Sequence, residues 1–201
     1  MTDDPDRHKA KMINRKAAQD AEVAAKPITS KGLLLVHTGT GKGKSTAAFG
    51  LALRALGRGW RVGVVQFIKG AWETGERTAF ARFADQMVWR TMGEGFTWET
   101  QDRARDIAAA GAAWSEALNM MADPTIRLLI LDELNIALRY DQLPLLEVIA
   151  TLVARRRDLH VVVTGRNAKP ELIAAADLVT EMALVKHHFA AGVRAQEGIE
   201  F

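Results

Sequence analysis

The sequence predicts an α/β fold: a doubly wound, mostly parallel sheet with helices on both faces. Short apolar runs rich in β-branched residues alternate along the chain with longer segments of helical periodicity. This alternation favours parallel strands that are joined by helical crossovers. Glycine-rich or charged turns follow several predicted strands, at the sheet edge where such folds bind ligands. These patterns together predict a ligand-binding rim at one edge of the sheet.

The predicted elements fill a main domain, residues 31–201. Its strands are 32–37, 61–68, 87–92, 127–131, 160–164 and 178–186, and its helices are 44–56, 76–84, 102–122, 144–156 and 170–176. Residues 1–30 form a charged, alanine-rich N-terminal arm, which Pro27 separates from this domain. A thin apolar stripe leaves two alternatives for the arm: a disordered or loosely docked tail, or a helix that folds over a site.

Composition limits the classes of function. The chain has 201 residues, of which 48% are hydrophobic and 25% charged, as in ordinary globular proteins. Its net charge of +3 suits a small anionic ligand and is too weak to argue for nucleic acid. The absence of cysteine excludes disulfides, thiolate catalysis and cysteine-ligated metals. Because no apolar run is long enough for a membrane span or a signal peptide, we expect a cytoplasmic protein.

The stretch LLLVHTGTGKGKST at 33–46 predicts a phosphate-binding loop. A buried strand, three clustered glycines and a Lys-Ser pair that opens a helix are the context such a loop requires. Glycines let backbone N–H groups converge on an anion, and the helix start adds positive potential. Lys44 would hold outer phosphate oxygens, and Ser45 would ligate Mg²⁺. The predicted phosphate-binding residues are Gly39, Thr40, Gly41, Lys42, Gly43, Lys44, Ser45 and Thr46.

The loop departs from the standard spacing G-x-x-x-x-G-K-[ST] at its first position. Thr38 stands there, and the glycine follows one place later. We therefore expect a loop that is tighter than usual at its entry. The alternative, a glycine-rich turn that binds nothing, is disfavoured by the strand before it and the helix after it.

The stretch RLLILDE at 127–133 predicts a second part of the site, because an apolar strand ends there in Asp132 and Glu133. Mg²⁺ prefers oxygen ligands and keeps several waters, so one or two carboxylates suffice. The alternative is an acidic helix start that caps N–H groups. The sequence leaves open which of the two acids touches the metal. Lys69 and Arg166 also follow predicted strands and should lie on the same rim.

These motifs alone leave several functions open: a phosphotransferase, a P-loop ATPase, or another use of ATP such as an ATP-dependent switch. A hydrolase or kinase should also supply a group that orients water or activates the acceptor. Glu133 could serve, and no other residue stands out.

Five motifs occur in order along the main domain. They are GTGKGKST at 39–46, VVQFIKG at 64–70, GEGFTWET at 93–100, LILDELNIAL at 129–138 and GVRAQEGIEF at 192–201. This combination resembles the P-loop ATP:corrinoid adenosyltransferases of cobalamin synthesis and salvage, in which the late first glycine is usual. The resemblance implies a P-loop NTPase-like domain over residues 31–201. Residues 1–30 match only in being charged and helix-prone.

The resemblance implies transfer of the 5′-deoxyadenosyl group of ATP to a corrinoid. Cobalt in the +1 state attacks the 5′ carbon of the ribose, and triphosphate leaves intact. Lys44, Mg²⁺ (or Mn²⁺) and the loop N–H groups would stabilise the charge that develops on the leaving group. No general base is needed, because cobalt carries no proton. We expect Lys44 and Glu133 to be the catalytic residues.

The resemblance also assigns residues outside the loop. Arg54 and Arg166 match arginines of the family, of which the first contacts nucleotide, although ten residues of helix put Arg54 about 15 Å from Lys44. Phe96 and Trp98 match aromatics that face the corrin, where an apolar wedge would expel the lower axial ligand and ease reduction from +2 to +1. The alternative for this pair is packing in the core.

Further expectations follow from the resemblance. We do not expect His37, His187 or His188 to ligate cobalt, because an axial histidine would oppose the four-coordinate state. A homodimer with arms that reach the partner's site is implied, as is a reduced flavoprotein as electron donor. Neither a nucleic acid nor a membrane is expected as a partner, and the preferred corrinoid stays open.

Overall fold

The computed structural model describes residues 5–27, 30–68, 74–92 and 102–200. The chain divides into two compact units, residues 1–31 and 32–201. In the first unit, α1 (Pro5–Ala24) is a helix of 20 residues. Ion pairs one helical turn apart join Lys16 to Asp20 at 2.7 Å and Lys26 to Glu22 at 3.5 Å. This stretch of the arm is therefore helical, and that it folds over a site stays a prediction.

The second unit is a parallel sheet with helices around it. Its strands are β1 (Leu34–Thr38), β2 (Arg61–Gln66), β3 (Met87–Thr91), β4 (Ile126–Asp132), β5 (His160–Thr164) and β6 (Leu178–Glu181). Its helices are α2 (Lys44–Leu56), α3 (Gly75–Phe80), α4 (Arg103–Ala122), α5 (Leu134–Arg139), α6 (Leu145–Val153) and α7 (Pro170–Ala175). Single 3₁₀ turns follow at Ala81–Phe83 and His188–Ala191. Within the described ranges, no helix is long and apolar enough to cross a bilayer.

The strand order brings the two predicted halves of the site together. The sheet runs β3-β2-β4-β5-β1-β6, and every strand pair in the described part is parallel. Only β5 separates β1, which leads into the glycine loop, from β4, which ends in Asp132. Because neighbouring strands lie about 4.8 Å apart, the carboxyl ends of β1 and β4 are roughly 10 Å apart on one edge.

The predicted helices on both faces of the sheet are confirmed. Side chains of a strand alternate between its two faces, so adjacent residues enter different cores. Leu128 and Ile130 of β4 pack in a cluster that includes Phe49 of α2. Leu129 and Leu131 pack on the other face, in a cluster that contains the buried apolar residues of α4, α5 and α6.

Two elements differ most from the sequence expectation, and the limits of other strands and helices lie up to four residues from the expected ones. The last strand ends at Glu181 rather than at residue 186, because its partner β1 ends at Thr38, which pairs with Glu181. The next residue, Met182, instead accepts a hydrogen bond from the loop N–H of Gly41 at 2.6 Å. Helix α5, which has six residues, was not predicted.

Candidate active site

The glycine loop is shaped by contacts that only glycine permits. Gly39 and Gly43 have φ of 96° and 104°, in the region that side chains with a Cβ rarely adopt. A Cβ on Gly39 would lie 2.5 Å from the carbonyl oxygen of Met182, and one on Gly41 would lie 2.6 Å from that of Ala183. The loop is therefore pressed against the backbone that follows β6, with a hydrogen bond from Gly41 to Met182.

Thr38, where the standard spacing has glycine, makes a specific contact of its own. It is the buried last residue of β1, and its hydroxyl accepts a hydrogen bond from the N–H of Ala168 at 3.0 Å. Ala168 belongs to the segment that follows β5. The threonine therefore ties the start of the loop to the neighbouring strand's exit, which glycine would not do.

Helix α2 begins directly after the loop and presents Lys44, Ser45 and Thr46 in its first turn. Gly43 precedes the helix without a side-chain cap, so the first N–H groups receive no side-chain acceptor from that position. A helix of 13 residues also contributes partial positive charge at this end. Loop and helix start thus offer backbone donors and positive potential to one anionic ligand.

Lys44 is buried, with 7% of its surface exposed, and its Nζ donates to the carbonyl oxygen of Gly41. Its own carbonyl oxygen lies 3.2 Å from Nδ1 of buried His37. Burial lowers the pKa of Lys44, nearby Glu133 raises it, and Arg166 and Lys42 lower it further. Charged side chains from the loop, the end of β4 and the end of β5 are thus within electrostatic reach of one another.

Glu133 starts α5 in a left-handed conformation, with φ of 64°. It occupies the N-cap position, but its side chain makes no capping hydrogen bond. Gly165, at φ 126°, leaves room beside it: a Cβ there would come within 2.9 Å of Glu133 Oε2 and of the Cβ of Asn135. Asn135 in turn donates from Nδ2 to the Gly165 carbonyl oxygen at 2.9 Å. The end of β5 is therefore shaped around the Glu133 carboxylate.

Asp132 is fully buried and accepts a hydrogen bond on each carboxylate oxygen. Oδ1 accepts from the Thr164 hydroxyl at 2.8 Å, and Oδ2 accepts from Gln66 Nε2 at 3.0 Å. The hydroxyl of Thr164 also accepts from the N–H of Glu133 at 3.0 Å. Side chains from β2 and β5 thus hold this acid from both sides.

These residues offer a donor set that suits a hard divalent cation. Ser45, Asp132 and Glu133 bring only hydroxyl and carboxylate oxygens, which Mg²⁺ and Mn²⁺ prefer over nitrogen or sulfur. Among them Glu133 is partly exposed and interacts with Lys44, whereas Asp132 has no exposed surface. Their chemistry and their shared sheet edge therefore fit a magnesium site beside the phosphate loop.

The C-terminal segment also reaches the loop. Glu200 accepts a hydrogen bond from Lys42 Nζ at 2.6 Å, and its other oxygen lies 2.9 Å from His188 Nε2. The hydrogen bond from Lys42 lowers the pKa of Glu200. His187 accepts from the N–H of Phe189 at 3.1 Å and stacks on His188. Sequence analysis quoted this segment as a motif but did not place it against Lys42.

Residues 30–201 match the protein family described as ATP:corrinoid adenosyltransferase BtuR/CobO/CobP. The chain belongs to this family. Residues 1–23 also match a family described as the N terminal of cob(I)alamin adenosyltransferase. The family resemblance inferred from the five motifs is thereby confirmed, and with it a transferase that adenosylates corrinoids.

Similar curated proteins span nearly the whole adenosyltransferase chain. A corrinoid adenosyltransferase from Pseudomonas aeruginosa is 56% identical, over 97% of this chain and 96% of the relative. One from Sinorhizobium sp is 52% identical, over 98% and 93%. The corrinoid adenosyltransferase CobA of Salmonella typhimurium is 45% identical, over 98% of both. The agreement therefore extends well beyond the motifs.

The adenosyltransferase fold brings together some of the predicted site residues and not others. Lys42, Lys44, Glu133 and Arg166 interact electrostatically on one rim, where Arg166 is exposed. Arg54 is exposed in the last turn of α2, about 15 Å from Lys44 by helix rise. Phe96, Trp98 and Lys69 lie outside the described residues.

Sequence analysis missed the side chains that hold Asp132. Gln66 and Thr164 are buried at the carboxyl ends of β2 and β5, on either side of β4. Each is a polar residue that ends an otherwise apolar strand, VVQ at 64–66 and HVVVT at 160–164. In an adenosyltransferase sheet with ligands at this edge, such a residue is a usable signal, because a buried polar group requires a partner.

Proposed function

We propose that this chain transfers the 5′-deoxyadenosyl group of ATP to the cobalt of a reduced corrinoid and releases intact triphosphate. The observation that supports it is that Lys44, in a glycine loop, lies within electrostatic reach of Glu133 and Arg166, in a chain of this family. The loop suits a polyphosphate, and the acids suit the cation that accompanies it.

The reaction requires charge stabilisation rather than proton transfer. Cobalt in the +1 state supplies both electrons of the new cobalt–carbon bond to the 5′ carbon. The bond between that carbon and its oxygen breaks, and its electron pair leaves with triphosphate. In this proposal Lys44 and the loop N–H groups would lie beside the leaving triphosphate, where fixed charge is most effective. No described carboxylate or histidine is needed as a general base.

Ser45, Asp132 and Glu133 would hold Mg²⁺ or Mn²⁺ in this proposal. The bound cation would supply Lewis-acid stabilisation of triphosphate charge. Glu133, which is partly exposed and within reach of Lys44, is the acid that we assign to direct contact. Buried Asp132 would act through a metal-bound water, since Mg²⁺ keeps several waters. Arg54 and Arg166 are proposed as nucleotide contacts on the family resemblance alone.

Phe96 and Trp98 are proposed, from the same resemblance, to favour four-coordinate cobalt. That state accepts an electron more readily, so Phe96→Ala and Trp98→Ala should be slowed mainly with +2 corrinoid and a weak reductant. Corrinoid already in the +1 state should restore much of their rate. If both mutants are equally slow with preformed +1 corrinoid while still binding ATP, this role is wrong.

The remaining proposals concern partners. We assign a homodimer, arms that serve the partner's site, a reduced flavoprotein donor and a cytoplasmic location. Light scattering tests the dimer directly. Removal of residues 1–26 should weaken corrinoid binding more than ATP binding, and an equal loss of both would contradict a corrinoid role for the arm.

One assay tests the proposed function. The protein is mixed with ATP, Mg²⁺ and chemically reduced corrinoid, and the products are followed by spectrum and by phosphate analysis. A light-sensitive adenosyl–cobalt spectrum together with intact triphosphate is expected. Phosphate release without corrinoid would instead indicate an ATPase, and tight ATP binding without any turnover would indicate a switch protein.

A further inference from the structure

Gln66 lies at the end of β2, and 3% of its surface is exposed. Its Oε1 accepts hydrogen bonds from Trp89 Nε1 and from the Thr91 hydroxyl, both at 3.1 Å. The indole N–H can only donate, so the atom that faces it must be the amide oxygen. The amide nitrogen of Gln66 therefore faces Asp132 Oδ2, at 3.0 Å.

The direction of the hydrogen bond on the opposite side of Asp132 is fixed in the same way. The backbone N–H of Glu133 can only donate, and it donates to the Thr164 hydroxyl oxygen at 3.0 Å. The hydroxyl hydrogen of Thr164 is thereby left for Asp132 Oδ1, at 2.8 Å. Two donor-only groups, one at each end, thus set the direction of every hydrogen bond between them.

We infer that Gln66 and Thr164 are positioning residues, which fix the Asp132 carboxylate in the orientation that the catalytic cation requires. Trp89 fixes Gln66 in turn, and its ring is itself held by stacking on Phe49 at 5.1 Å between centroids. Outer partners, which orient the groups of a metal site without touching the metal, typically change metal affinity or activity by 10–100-fold. The inference rests on the proposed metal role of Asp132.

Two substitutions remove one donor each and keep the size of the side chain. Gln66→Met and Thr164→Val should raise the Mg²⁺ concentration for half-maximal activity by about 10–100-fold. At saturating Mg²⁺ their kcat should approach that of the unmodified protein, and their KM for ATP should change little. Thr164→Ser keeps the hydroxyl and should retain the original Mg²⁺ dependence.

A direct binding measurement separates positioning from activity. Mn²⁺ is titrated into the protein–ATP complex, and its binding is followed by the paramagnetic resonance signal of the free ion. The two variants should bind Mn²⁺ about 10–100-fold more weakly. Gln142→Met is the matched control, because Gln142 is a buried glutamine beyond the end of α5 and its Oε1 has no partner among the described residues.

The outcomes distinguish the inference from the proposal beneath it. If the unmodified protein neither binds Mn²⁺ with ATP nor depends on a divalent cation, the proposed metal role fails. If it does both, but folded Gln66→Met and Thr164→Val keep its Mn²⁺ affinity, the positioning role is wrong. An equal loss in Gln142→Met would also overturn it. If Gln66→Met does not fold, the contrast between Thr164→Val and Thr164→Ser decides.

Discussion

The glycine loop and the end of β4 share one edge of the sheet but are built from different parts of the chain. The loop takes its shape from its backbone: three glycines stand at alternate positions, Gly39, Gly41 and Gly43, and the first and last have positive φ. The end of β4 takes its shape from side chains that are distant in sequence. Asp132 meets Gln66 across 66 residues and Thr164 across 32.

The difference explains why one half is easier to recognise than the other. The loop glycines lie within a few consecutive residues, and the absence of a Cβ explains directly why glycine is needed at each position. A hydrogen-bond network between strands acquires meaning only when the strand order is known. Substitutions in the two halves should therefore fail in different ways, with the loop affecting turnover and the β4 end affecting both metal dependence and stability.

The largest effect is expected at Lys44. Lys44→Met should lower the rate by about 10²–10³, because one prepositioned charge on a leaving group contributes roughly that much. Folding should be retained, since burial lowers the pKa of Lys44. The folded chain then holds this proton less firmly than the unfolded chain, and the charged amine opposes folding below its folded pKa.

The pH dependence sharpens this test. The unfolding free energy of Lys44→Met relative to the unmodified protein should be highest below the folded pKa of Lys44, where the amine is charged in both states. That difference should shrink as pH rises through the folded pKa of Lys44 towards its ordinary value of 10.5, where both states become neutral. Denaturant unfolding at several pH values measures it. A folded variant with near-normal turnover would remove the loop lysine from the mechanism.

Substitutions of the two acids at the end of β4 should have different effects. Glu133→Gln should raise the Mg²⁺ requirement by at least about tenfold, as a ligand should matter no less than an outer-shell partner, and added Mg²⁺ should partly restore the rate. Asp132→Asn should also lose stability, because its NH₂ group would face a hydrogen-bond donor. Leaving buried donors unsatisfied costs about 1–3 kcal/mol.

Metal titration of activity and denaturant unfolding measure these two effects separately. An unchanged metal requirement in Glu133→Gln would make Asp132 the candidate for direct contact. Equal stability of Asp132→Asn and the unmodified protein would show that the hydrogen bonds to Asp132 are not selective for a carboxylate.

Part of the fold was predictable because residues close in sequence mark where some helices and strands begin and end. Helix α2 was predicted at its observed limits, 44–56, since Gly43 and Gly57 flank it, and β5 was predicted at 160–164 from its β-branched run. The end of β6 was not, because it depends on where β1 stops. The loop was predicted from its glycine spacing, and the two acids from the apolar strand that precedes them. Gln66 and the Lys42–Glu200 contact depend on distant pairing that spacing does not encode.

A smaller effect is expected at Gly165, where both the backbone conformation and the neighbouring side chains disfavour a Cβ. Gly165→Ala should destabilise the protein by about 1–3 kcal/mol, because φ there is 126° and the new Cβ would crowd Asn135 and Glu133. Gly50→Ala is the matched control within α2, where a Cβ meets no atom within 4 Å, and it should stabilise by roughly 0.5–1 kcal/mol. Thermal unfolding compares them, and equal shifts would refute strain at Gly165.

The smallest effect, and the finest test of the comparison, is at Thr38. Thr38→Gly restores the standard glycine spacing, so a loop governed by spacing alone should tolerate or prefer it. The structure gives the opposite expectation, since the hydroxyl of Thr38 accepts from Ala168 and ties the loop entry to the exit of β5. Losing that hydrogen bond costs about 1 kcal/mol, and glycine at a strand end adds roughly 0.5–1 kcal/mol.

The variants Thr38→Val and Thr38→Ser separate the contribution of the hydrogen bond to stability from that of the glycine backbone. Valine keeps the β-branched shape and loses the acceptor, so it should show the hydrogen-bond loss alone, whereas serine keeps the acceptor and should lie nearest the unmodified protein in denaturant unfolding. Turnover should change less than about threefold in all three, because the close contacts of Gly39 and Gly41 with residues 182–183 remain. If Thr38→Gly is as stable as Thr38→Ser, the link to Ala168 contributes nothing. The late glycine would then be a variation in spacing without a structural cause.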